Sequence, residues 1–152
     1  MHRRALISGV VSLGLAFMLA TSALATGGAP RVATMIGANE VPGPGDPDGT
    51  GSITVTLNVG QGTVCWDYTV ADIALPVTGA HIHRAPAGVA GGVVVPFRAA
   101  DGSWPTSGCR AADPALIQAI IDFPEDYYAN VHNAEFPAGA IRGQLSNRGQ
   151  AD

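Results

Sequence analysis

From Ser52 to Val59 the chain alternates without a break. Ile53, Val55, Leu57 and Val59 take every second place, and Ser52, Thr54, Thr56 and Asn58 fill the places between. Successive side chains of a strand point to opposite faces, so the run predicts a strand with one face on a core and the other polar. After Gly60-Gln61-Gly62 the pattern resumes from Thr63 to Val70, with Val64, Trp66, Tyr68 and Val70 on one face and Cys65, Asp67 and Thr69 on the other. Two such runs around a glycine turn predict an antiparallel hairpin. The hairpin commits the domain to antiparallel β-structure.

Shorter runs extend it. Arg31 to Ala38, Thr78 to Arg84, Gly92 to Arg98, Tyr127 to Asn133 and Ala140 to Ser146 read as strands, with glycine and proline at nearly every junction. One stretch reads as helix. Asp113 is a capping residue, Pro114 suits the first helical position, and Leu116, Ile117, Ile120 and Ile121 form an apolar stripe before Pro124 stops it. The expected fold is all-β, an antiparallel β-sandwich or Greek-key barrel of about seven to eight strands with one short helix.

The N-terminus reads as a secretory signal peptide over residues 1–25. His2, Arg3 and Arg4 are followed by an uncharged apolar run from Ala5 to Leu19 and a small-residue cleavage site at Ala23-Leu24-Ala25. The competing reading is a membrane anchor over the uncharged stretch from Ala5 to Pro30, and its glycine- and threonine-rich second half argues against that. Residues 26–152 then form one exported domain with no stable membrane span. Without Arg3 and Arg4, six basic residues face twelve acidic ones, a net charge of −6, and the chain has no lysine. A nucleic-acid partner is excluded by that balance, because phosphate binding needs a basic footprint.

Cys65 and Cys109 are the only cysteines. An even pair in an exported domain predicts one disulfide, with Cys109 on a loop laid over the Cys65 face. Two thiolate metal ligands are the alternative, and the pair lacks the close spacing that such sites use. A disulfide closing this loop would add about 4 kcal/mol in the chain-entropy model.

Asn39-Glu40-Val41-Pro42, the strand Ala80-His81-Ile82-His83 with its following Gly91-Gly92, and Tyr128-Ala129-Asn130-Val131-His132 with Pro137-Ala138-Gly139-Ala140-Ile141-Arg142-Gly143-Gln144-Leu145 together resemble the chordin (CHRD) domain. The resemblance runs from about Val32 to Leu145 and looks like the secreted bacterial single-domain members, which are mostly of unassigned function. It implies a non-catalytic binding or structural module whose partner is an extracellular protein or a cell-envelope ligand. Growth-factor antagonism in animal chordin rests on cysteine-rich modules that this chain lacks. One departure concerns Ala140, where the family commonly has glutamate; the polar network around that position must differ here.

The chemistry-bearing residues are His81, His83 and His132, the only histidines beyond the leader. If Ile82 and Val131 face the core, the three histidines face the other way, together with Tyr128 and Asn130. Adjacent strands would then gather His81, His83, Asn130 and His132, and three imidazoles suffice for one zinc or copper ion. The competing reading has these side chains, with Arg142, forming a polar cluster that hydrogen-bonds covering loops. No fourth ligand stands out, although Asp72 and Glu135 lie near in sequence. A His-x-His strand in a disulfide-bonded β-domain is superficially similar to copper/zinc superoxide dismutase. Its binuclear centre takes six histidines and an aspartate, so only a mononuclear, redox-active copper variant fits the count.

Other chemistries find no support. No serine sits in a nucleophile elbow, and no glycine-rich phosphate loop follows a strand. Asp46 and Asp48 do not continue into a calcium-loop pattern and read as a solvated turn, as do Glu125 and Asp126. No cofactor follows from the sequence beyond the copper or zinc ion that the three histidines would hold.

Overall fold

The computed structural model describes residues 27–147, so the leader expected over residues 1–25 lies outside the described residues. In chain order the elements are β1 (Ala29–Ile36), β2 (Thr50–Asn58), β3 (Thr63–Ala71), β4 (Gly79–Arg84), β5 (Gly92–Pro96), β6 (Ser107–Ala111), α1 (Pro114–Asp122), β7 (Tyr127–His132), β8 (Ile141–Gln144) and β9 (Ser146–Asn147). The expected all-β antiparallel domain with one helix is what forms.

All nine strands belong to one sheet, in the order β5-β4-β7-β8-β1-β2-β3-β6, with β9 pairing to β1. The two layers of the domain are the two halves of this sheet, which curls until its ends approach. Trp66 on β3 stacks on Phe97 just past β5, with ring centres 4.9 Å apart. Arg110 on β6 donates to the Pro96 carbonyl on β5 at 2.6 Å. Between them, residues 97–106 run across the seam, held by Phe97 N–H to the Ala80 carbonyl and Tyr68 N–H to the Thr106 carbonyl, each 2.8 Å.

The alternating residues behave as their period demands. Ile53, Val55, Leu57, Val64, Trp66 and Tyr68 from the hairpin meet Ala80, Ile82, Ala129, Val131, Ile141 and Leu145 in one core. The helix plugs one end of it with Ile117 and Ile120, both fully buried, each adding about 2 kcal/mol. Asp113 caps the helix by accepting from the Ala115 N–H at 2.8 Å, and the Arg31 guanidinium on β1 donates to the Ile121 carbonyl near its end.

Two expectations are corrected. Cys109 lies not on a covering loop but on the edge strand β6, directly opposite Cys65 on β3, and the two form the disulfide. It therefore staples an edge strand to its neighbour rather than a loop to a face. The segment 37–49 also folds back on the sheet instead of forming a solvated turn: Asp46 is buried, its N–H donating to the Ala140 carbonyl at 2.8 Å. Asp48, Glu125 and Asp126 are exposed as expected.

Candidate functional site

β4, β7 and β8 lie side by side, and their registers set the outer face of that half of the sheet. His81 pairs with Asn130 and His83 with Tyr128 across β4 and β7; Asn130 pairs with Arg142 and Tyr128 with Gln144 across β7 and β8. His132 stands opposite Gly79. With Ala80, Ile82, Ala129 and Val131 in the core, His81, His83, Tyr128, Asn130, His132 and Arg142 all share the other face. Every residue expected in the polar cluster is there, and the three histidines meet. Neither Asp72 nor Glu135 joins them.

Loops turn this face into a buried polar layer. His83 Nδ1 donates to the Gly91 carbonyl at 2.9 Å, and His132 Nδ1 donates to the Pro137 carbonyl at 3.1 Å. A carbonyl only accepts, so both rings carry their proton on Nδ1 and turn an Nε2 lone pair inward. Tyr128 Oη accepts from the Gly91 N–H, Arg142 donates to the Pro86 carbonyl at 3.0 Å, and Gln144 donates to the Ala85 carbonyl at 2.8 Å.

What the layer leaves unsatisfied is as informative. His81 Nδ1, His83 Nε2, His132 Nε2 and Asn130 Oδ1 are buried without a well-formed hydrogen bond, as are Glu40 Oε1 and Arg142 Nη1 of the same layer, although the Asn130 side chain stands close enough to act on His81, His83 and Glu40. Such groups are uncommon in folded proteins because each forfeits its hydration. One ligand atom from each of the three rings lies within 4.8 Å of the others. Burial, and then the neighbouring rings of His132 and His83, push the His81 pKa down to about 4. Burial also lowers His83 and His132, against the pull of their carbonyl partners. Imidazoles held neutral are in the state that binds metal.

Aromatic walls enclose the rings. Tyr128 stacks flat on His83 at 4.7 Å, the Arg142 guanidinium lies 3.4 Å from the Tyr128 ring centre, and Trp104 meets His81 edge-on at 5.1 Å. Gly79 supplies the space. A Cβ there would stand 3.1 Å from His81 Cε1 and 3.3 Å from His132 Cδ2.

Glu40, which enters the sequence reading only as part of a motif, proves to be a member of this layer. It is 5% exposed, and its carboxylate rests against Gly139, where a Cβ would come within 2.4 Å of it. Burial raises its pKa to about 7, opposed by the charge of Arg142. Trp104, Gly79 and Glu40 sit on loops or at strand ends, where no periodicity marks them.

Residues 31–145 match the family model described as the CHRD domain. No curated protein and no solved structure matches the chain.

Proposed function

The chain belongs to the CHRD-domain family, and from that premise we propose that it is a binding module whose ligand is a single transition-metal ion held by His81, His83 and His132. One observation carries the reading: one ring nitrogen from each of His81, His83 and His132 lies within 4.8 Å of the others, and each ring has a buried nitrogen with no well-formed hydrogen bond. A copper or zinc ion takes such ligands at about 2 Å. The two Nδ1–carbonyl bonds are the outer-shell contacts that fix tautomer and ring orientation at metal sites. Those same bonds also favour a second reading, in which the rings serve only to tether the loops at Gly91 and Pro137. Export is part of the proposal. The disulfide is of the kind that persists in oxidising compartments, which supports action beyond the cytoplasmic membrane.

The test is metal content and titration of protein purified without chelator or affinity metal, beside a His81→Ala, His132→Ala double variant. Near-stoichiometric uptake that the double variant abolishes is the expected result. Wild-type protein that stays metal-free through titration with both copper and zinc would leave only the tethering role.

A further inference from the structure

Away from the histidines, we propose that the outer face of β8, β1 and β2 is a second and independent binding site, for a neutral polyhydroxylated ligand of the saccharide class. Two clefts meet there. One, of about 470 Å³, includes Thr34, Asn39, Glu40, Arg142 and Gln144. The other, of about 590 Å³, adds Val32, Ile36, Ser52, Thr54 and Ser146. Thr34, Asn39 and Gln144 belong to both, so the two form one groove, and each half has the size of a small-ligand pocket.

The floor of the first half is a charge pair that the fold leaves unfinished. Arg142 and Glu40 are 1% and 5% exposed and act on one another electrostatically, yet Arg142 Nη1 and Glu40 Oε1 each lack a well-formed hydrogen bond. Thr34, Asn39, Ala87 and Gly88 are exposed and form the rim above them. A guanidinium only donates and a carboxylate only accepts, so a ligand group seated between them must accept on one side and donate on the other. A hydroxyl does both with one oxygen, and it can also accept from Glu40 when that carboxyl is protonated. With Glu40 ionised, an anionic group is opposed by Glu40 and an ammonium by Arg142.

The second half extends the same chemistry. Register sets Thr34 opposite Ser52 and Val32 opposite Thr54 across β1 and β2, with Ser146 of β9 opposite Val32 on its other side. Hydroxyls thus lie among the aliphatic side chains of Val32 and Ile36, the latter 37% exposed. A sugar ring presents the same mixture, hydroxyls at its rim and C–H groups on its faces. An extended peptide docks instead by pairing with a free sheet edge, and β8, β1 and β2 are interior to the strand order.

The experiment is NMR titration of ¹⁵N-labelled protein in chelator, which separates this site from the metal reading. The neutral probes are cellotetraose and N-acetylated chitotetraose; the comparators are tetragalacturonate, deacetylated chitotetraose and a neutral tetrapeptide amide. Saturable shifts confined to the groove residues are expected for at least one neutral sugar, with Kd below about 1 mM. Arg142→Lys keeps the charge and loses the guanidinium fork, and is expected to weaken binding by about tenfold or more. Thr34→Val removes one exposed hydroxyl at constant shape; an expected loss of about threefold keeps the test decisive if Arg142→Lys does not fold. No saturation by either neutral sugar, shifts that map elsewhere, tighter binding of a charged sugar or of the peptide, or full affinity in Thr34→Val and in folded Arg142→Lys each overturns the assignment.

Discussion

Glu40→Gln isolates the cost of a carboxyl group trapped between Gly139, Asn130 and Arg142. In the folded protein its pKa stands at about 7 instead of 4.5, so the folded state holds on to a proton that the unfolded state releases. The sign follows from linkage. Below pH 4.5 both states are protonated and nothing is lost; as pH rises from 4.5 through 7 only the unfolded chain gains by ionising, and wild-type stability falls. The full gap corresponds to about 3 kcal/mol, and screening of a group that lies under a loop rather than in the apolar core reduces this to about 1–2 kcal/mol. Gln keeps the shape and cannot ionise. Urea unfolding of both proteins in chelator at pH 4, 5.5, 7 and 8 should give a stability difference that moves in favour of the variant by that amount between pH 4.5 and 7, then levels off. A difference independent of pH over this range would refute the reasoning, since any hydrogen bond that the amide makes or forfeits is the same at every pH.

Three further outcomes are expected. Acidification should weaken metal-free wild type between pH 6.5 and about 4, where the unfolded chain protonates His81 and the folded chain does not. Because the ring is part-exposed, about 1–2 kcal/mol is at stake, and His81→Asn should flatten the pH profile; an unchanged profile contradicts the buried neutral ring. Gly79→Ala forces a methyl group against His81 and His132, and should cost about 1 kcal/mol together with at least tenfold in metal affinity; full affinity would show that the rings do not need the gap. Replacing Cys65 and Cys109 by alanine should lower unfolding free energy by about 2–4 kcal/mol, measured by denaturant titration, and a wild-type mass unchanged on reduction would remove the basis for this.

How far the site could be read from the chain depends on what each residue's placement rests upon. The shared face of His81, His83, Tyr128, Asn130 and His132 follows from a period of two, a local property. That β4 lies against β7 is a pairing across about fifty residues, fixed by the curl of the whole sheet and invisible to local pattern. The strand carrying Cys109 was hidden for another reason. Ser107-Gly108-Cys109-Arg110-Ala111 has no β-branched or aromatic residue, and it is held in the sheet by its partner strand and by Trp66, whose ring packs on Gly108. Glu40 reaches the layer through the fold of the 37–49 loop, where burial and the contact with Gly139 decide its role. No sequence spacing encodes that.

The seam between β5 and β6 has one more consequence. The two edges never zip together along their length; the gap is plugged by residues 97–106, and Trp104, the ring set against His81, rides on that plug. Bridging the open seam of the curled sheet and roofing the histidines are therefore the work of one stopper. Whatever loosens it unseals both at once, and the edges it guards are the surfaces through which a curled sheet would otherwise recruit foreign strands.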